Sequence, residues 1–162
     1  VSDVRLFGNA GMPWQPVSPR LVTARLTVLA AVLVVPLLVT VALAVAVSST
    51  LWWAVGVVVL VGAWGTWVVL RQVPAITWLE LDDELVVRRG RLFRSLVTVP
   101  YGRLQYVDVQ SGPLDRALGI AEVALHTASP QFSADIPGLP LAEAEALRQR
   151  LVARGESQRA GL

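Results

Sequence analysis

The sequence predicts two membrane-crossing helices in a hairpin, followed by a small domain of antiparallel strands plugged by one amphipathic helix. Three observations carry this. Charged residues make up 16% of the 162-residue chain, yet none occurs between Arg25 and Arg71. After Val73-Pro74 the texture changes to short apolar stretches separated by glycine, proline and aspartate, the pattern of short strands joined by turns. The segment PLAEAEALRQRLVAR, Pro140 to Arg154, places Leu141, Ala144, Leu147 and Leu151 at helical spacings of three and four.

In chain order, LTVLAAVLVVPLLVTVALAVAV (Leu26 to Val47) is apolar apart from two threonines. At about 1.5 Å per residue it spans a hydrocarbon core about 30 Å thick. LWWAVGVVVLVGAWGTWVVL (Leu51 to Leu70) has similar reach, and the Ser48-Ser49-Thr50 link makes the two helices antiparallel neighbours. Ala44-Val45-Ala46 resembles a signal-peptide cleavage site, but the segment before it is long for such a signal and a second span follows at once. Arg5, Arg20 and Arg25 precede the first span, Arg71 closes the second, and the connecting loop has no arginine. The positive-inside rule therefore places both termini in the cytoplasm, with Trp52 and Trp53 at the outer interface and Trp14 and Trp78 near the inner one. Pro36 is read as a tolerated kink, and Ala42, Ala46, Gly62 and Thr66 as small residues for close helix packing.

Strands are expected at Thr77–Leu81, on both sides of Gly90 (LVVRR and RLFRSLVTV), at Leu104–Gln110, Ala121–Thr127 and around Ala134–Ile136. Asp82-Asp83 and Pro100-Tyr101-Gly102 supply turns, and SGPLDRALG a longer loop. In the last helix Glu143 and Glu145 come early and Arg148, Arg150 and Arg154 late, which complements its dipole. The division is residues 1–25, a cytoplasmic segment; 26–71, the hairpin; 72–156, the domain; and 157–162, a tail.

Composition excludes several chemistries. Without cysteine there is no disulfide or thiolate metal site, and a single histidine removes histidine-rich metal sites. Neither span carries an ionisable group, the usual mark of an ion or proton path. No nucleophile–base constellation and no phosphate-cradling glycine pattern occurs, so no catalytic residue, cofactor or metal is expected and the chain is read as not an enzyme. A net charge of +2 without a basic helix gives no support for nucleic-acid binding. All fourteen basic residues are arginine, read as the codon bias of a GC-rich bacterial genome.

VPYGRLQYVDVQSGPLDRALGIAEVALHTAS, Val99 to Ser129, resembles the signature of bacterial pleckstrin-homology (PH) membrane proteins, the YdbS-like family. Gly112-Pro113-Leu114, Arg116, Leu118-Gly119 and the later Ile-Pro-Gly-Leu are its most specific parts, and the likeness covers about Trp78 to Ala153. It implies a PH-like fold: a bent antiparallel β-barrel of about seven strands capped by a C-terminal helix, behind a transmembrane hairpin. It implies no defined activity. Some members are associated with tolerance of membrane-active antimicrobial peptides, often beside a larger sister protein with repeated PH-like domains.

Arg88, Arg89, Arg91 and Arg94 concentrate charge on one hairpin soon after the second span. Each arginine near an anionic surface gains about 1 kcal/mol, so the hairpin is a candidate lipid-binding site, similar in position to the basic early hairpin of eukaryotic PH domains. The other reading is a solvated hairpin paired with Asp82, Asp83 and Glu84; neighbours such as Arg88 and Arg89 point to opposite faces of a strand. Asp115 and Arg116 either fix their loop through an ion pair or form a partner surface. His126 is a surface histidine or, with Glu122, part of a metal site. The expected function is a membrane-anchored binding and scaffolding protein on the cytoplasmic face of the bacterial inner membrane. It would contact anionic lipid and assemble as a homo-oligomer or with a larger PH-domain membrane protein. The alternative is an accessory subunit of an exporter or antimicrobial-peptide resistance system.

Overall fold

The computed structural model describes residues 13–90, 95–129 and 133–160. A two-residue strand β1 (Gln15–Pro16) precedes helix α1 (Arg20–Ala46), and a short turn leads into α2 (Trp52–Gln72). Then come β2 (Thr77–Glu80), β3 (Glu84–Arg89), β4 (Ser95–Pro100) and β5 (Leu104–Gln110). A one-and-a-half-turn helix α3 (Pro113–Leu118), strands β6 (Ile120–Thr127) and β7 (Ala134–Pro140), and helix α4 (Leu141–Ala160) complete the order.

Helices α1 and α2, of 27 and 21 residues, are long and apolar enough to cross a membrane. They pack on each other at glycines: a Cβ on Gly62 would lie 3.1 Å from Leu33 and one on Gly65 3.0 Å from Leu29. Thr66 adds no unpaired group, because its hydroxyl donates back to the Gly62 carbonyl at 2.8 Å. The faces turned away are apolar and bare, including Leu38 at 64% and Leu60 at 70% exposure.

The strands form two antiparallel sheets, β1-β2-β3-β4 and β5-β6-β7. Among the described residues there are seven strands and no closed barrel, and one of the seven, β1, precedes the hairpin that the resemblance places ahead of the whole barrel. β4 ends at Pro100 and β5 begins only after a tight turn at Tyr101–Arg103, and β1 and β7 carry Pro16, Pro137 and Pro140. A proline has no N–H to donate, so these edges cannot extend a ladder around the rim. α4 packs against β5, β6, β7 and the Tyr101–Arg103 turn, and its Ala144, Leu147 and Leu151 have no exposed surface.

The core includes the start of α1. Val17, Leu21 and Ala24 are buried in the same cluster as Trp78, Leu85, Ile136 and Leu147, and Val73 and Ile76 join it from the exit of α2. A bulge makes room for this: between the pairs Val123↔Ile136 and Ala121↔Leu139, Glu122 faces two residues, Pro137 and Gly138. Gly138 adopts φ +71°, its carbonyl accepts from the Ser18 N–H at 3.0 Å, and a Cβ there would lie 2.7 Å from the Leu21 Cβ. Trp78 is fully buried in this core, so it is not available to the interfacial belt expected from the sequence. Near the end of α2 the Arg71 guanidinium lies 4.9 Å from the Trp67 ring centre, while Trp52 and Trp53 are exposed at the far end of α2.

Candidate functional site

β3 and β4 form the arginine hairpin, with Gly90 at φ 84° leaving the first strand. Arg88 and Arg89 sit opposite Leu96 and Ser95 and diverge, as strand alternation requires. Arg88 lies over the Trp14 ring, 4.4 Å from its centre, and its Nε donates to the Thr77 hydroxyl at 3.1 Å. Arg89 reaches the other sheet, donating to the Asp135 carbonyl and pairing with its carboxylate at 3.7 Å. Its acidic partner is therefore on β7. Arg91 and Arg94, with Leu92-Phe93, lie outside the described residues.

The acidic turn is tied to α4. Asp83 accepts from the Gln158 amide at 3.1 Å through its side chain and from the Tyr101 N–H at 3.1 Å through its carbonyl. Behind it is a cluster that sequence reading treated only as turn and helix. The Tyr101 hydroxyl donates to the Leu81 carbonyl at 2.9 Å, Arg154 donates to the same carbonyl at 2.8 Å, and Arg150 and Arg154 both pair with Glu80 at 3.2 Å. Burial raises the Tyr101 pKa, with Arg154 opposing. These contacts bind the helix to the first sheet.

The Ser111–Gly119 loop is built around α3, with Pro113 at its start and Gly119 in the left-handed region, φ 67°, at its end. Asp115 and Arg116 hold it through the backbone and not as an ion pair. Asp115 Oδ2 accepts from the Gly112 N–H at 3.3 Å, and Arg116 Nε donates to the Ser111 carbonyl at 3.1 Å. The loop is fastened to α1 by Arg20, whose Nη1 donates to the Leu118 carbonyl at 3.1 Å.

On the outer face of the second sheet, His126 stacks on exposed Tyr106 with ring centres 4.3 Å apart. Among the described residues no group of three or more histidines and acids could hold a metal ion. Glu122 is on this face too. Partial desolvation, reinforced by Asp135, raises its pKa, with Arg89 opposing. β5 is an outer strand of its sheet, and its Leu104–Gln110 run contains no proline.

The chain matches the family model described as bacterial PH domain over residues 20–154. The match begins at the first residue of α1, so both long helices fall inside it. Comparison with curated proteins and with solved structures gives no match.

Proposed function

The chain belongs to the bacterial PH-domain family, and from that premise we propose that it is a non-enzymatic, membrane-anchored PH-like binding and scaffolding protein. The proposed site is the cytoplasmic face of the bacterial inner membrane. The observation that carries this reading is the shared core: Val17, Leu21 and Ala24 from the α1 end and Val73 from the α2 end pack with the sheets. The bare outward faces of α1 and α2 far exceed the apolar patch a water-soluble surface tolerates. In a bilayer the same faces are solvated by lipid, and the domain is then held at fixed height over the headgroups.

The arginine hairpin is the proposed contact with anionic lipid. Arg88 and Arg89 have internal partners, so in this reading they act as a positive base, and the lipid contact is assigned to Arg91 and Arg94, which follow them in the sequence. Partner binding, to a second copy or to a larger PH-domain membrane protein, is assigned to the edge of β5, where a partner strand can add.

The absence of cysteine makes the test clean. A spin label on Ser95→Cys, exposed at the start of β4, is compared in full-chain nanodiscs of anionic and of zwitterionic lipid. Greater protection from a water-soluble relaxant in the anionic discs is expected, reversed by high salt and by changing Arg91 and Arg94 to glutamine. Equal exposure in both discs would return the hairpin to a solvated role.

A further inference from the structure

A groove of about 320 Å³ lies between the first turns of α1 and the α3 loop, and no residue of the arginine hairpin lines it. Leu21, Ala24 and Val28 form one wall and Pro113 and Leu114 the other. Two charges of opposite sign, Arg25 and Asp115, complete the lining. We propose that this groove binds one zwitterionic phospholipid of the adjoining leaflet, its phosphate on Arg25, its primary amine on Asp115, and its glycerol and upper acyl carbons against the apolar walls.

Depth, charge and wall chemistry each point to that occupant. Arg25 is the last charged residue before the uncharged run that ends at Arg71, so on the membrane-spanning reading, on which this inference rests, the groove opens at the level of the headgroups. Val28, one turn deeper, is 53% exposed and faces the acyl region. Arg25 has no hydrogen-bonded or ion-paired protein partner among the described residues. Arg20, one turn earlier, is held by the Leu118 carbonyl. Asp115 uses Oδ2 to accept from the Gly112 N–H, which leaves its other oxygen for an ammonium. Glu122 feels Asp135 and Asp115 and, with opposite sign, Arg89 and Arg25, so the surroundings carry both signs of charge. A purely anionic headgroup satisfies Arg25 and leaves Asp115 without a counter-charge, whereas an amine-bearing one satisfies both signs of the lining.

The full chain would be reconstituted in nanodiscs of equal phosphatidylethanolamine and phosphatidylglycerol, released into mild detergent, and examined by native mass spectrometry. One retained phosphatidylethanolamine per chain is expected. Arg25→Gln should reduce its occupancy about fivefold, the effect of one arginine at a phosphate surface. Asp115→Asn keeps the oxygen that accepts from Gly112 and should abolish the preference for phosphatidylethanolamine while leaving some lipid bound. Leu114→Trp, which fills the groove without altering charge, should displace the lipid; an unchanged melting temperature for each variant confirms that the fold is kept. No stoichiometric lipid, a preference for phosphatidylglycerol, or retention unchanged in all three variants would overturn the proposal. Resistance of the chain to alkaline carbonate extraction is measured in parallel. Loss of that resistance would defeat the membrane-spanning reading, whereas a firmly inserted chain without bound lipid defeats only the groove.

Discussion

Gly138 and Gly119 both adopt left-handed backbone, at φ +71° and φ +67°, yet alanine should affect them differently. At Gly138 the added carbon meets the Leu21 Cβ at 2.7 Å, a backbone-anchored atom that cannot swing aside. Conformational strain and overpacking then combine to about 2–4 kcal/mol. At Gly119 the nearest atom is the Arg20 Nη1 at 3.2 Å, the far end of a flexible side chain, so only the strain remains, about 1–2 kcal/mol. Denaturant unfolding of the two variants in detergent would rank them, and equal losses would mean that the Leu21 contact yields. Glu122 makes a second expectation at this scale. Its folded-state pKa is raised, by desolvation first and Asp135 second, so the folded chain holds the proton more tightly than the unfolded one. The stability associated with that proton is complete below the unfolded value and is lost as pH rises through the folded one. Glu122→Gln should therefore raise the melting temperature at pH 7, with the gain closing as pH falls toward about 4. A gain that stays constant with pH would assign it to something other than ionisation.

At the scale of elements, two kinds of contact hold α4. Leu147 has no exposed surface, and Leu147→Ala should cost about 2–5 kcal/mol by transfer and cavity terms. The Glu80 pairs with Arg150 and Arg154 involve arginines that are 46% and 38% exposed, so Glu80→Gln should cost about 1 kcal/mol or less. Thermal unfolding of the two variants tests that order; a larger loss at Glu80 would make the polar clamp the main fastening. The same helix shows which elements the sequence made legible. Its stripe of Ala144, Leu147 and Leu151 repeats over three turns, and the long uncharged runs of α1 and α2 are as unambiguous. Strands β2 to β7 were marked by alternation and by turn residues. β1 was not legible, because two residues, Gln15 and Pro16, carry no period and their pairing with Thr77 and Trp78 is a tertiary event. α3 had the signals of a helix, Pro113 at its start and Gly119 after its end, on a segment too short for hydrophobic periodicity to register. The arginine hairpin was visible as charge, but the cross-sheet destination of Arg89 was not, since nothing local links it to Asp135.

For the molecule as a whole, a boundary at residue 72, where the composition changes, divides the hydrophobic core. Composition sees solvent, whereas the start of α1 and the residues that follow α2 carry buried side chains into the domain. Trp78 illustrates the same limit: a tryptophan shortly after an apolar span reads as an interface residue, and only the fold places it at the centre of the domain. The consequence is testable by truncation. A fragment of residues 74–162 lacks β1 and loses Val17, Leu21, Ala24 and Val73 from the core. At about 1.5–3 kcal/mol for each of the three larger side chains, that loss is roughly 5–9 kcal/mol, comparable with the whole stability of a typical domain, about 5–15 kcal/mol. The fragment is expected to show poor amide dispersion and dye binding in solution, whereas a chain of residues 13–162 in detergent unfolds cooperatively. Well-dispersed spectra from the fragment would mean that the sheets and α4 fold without the helix ends, and the domain would then be free to move relative to the hairpin. Failure of the fragment alone, with cooperative unfolding of the longer chain, would make hairpin and domain one folding unit. Any displacement of the helix ends at the bilayer surface would then be transmitted directly to the sheets.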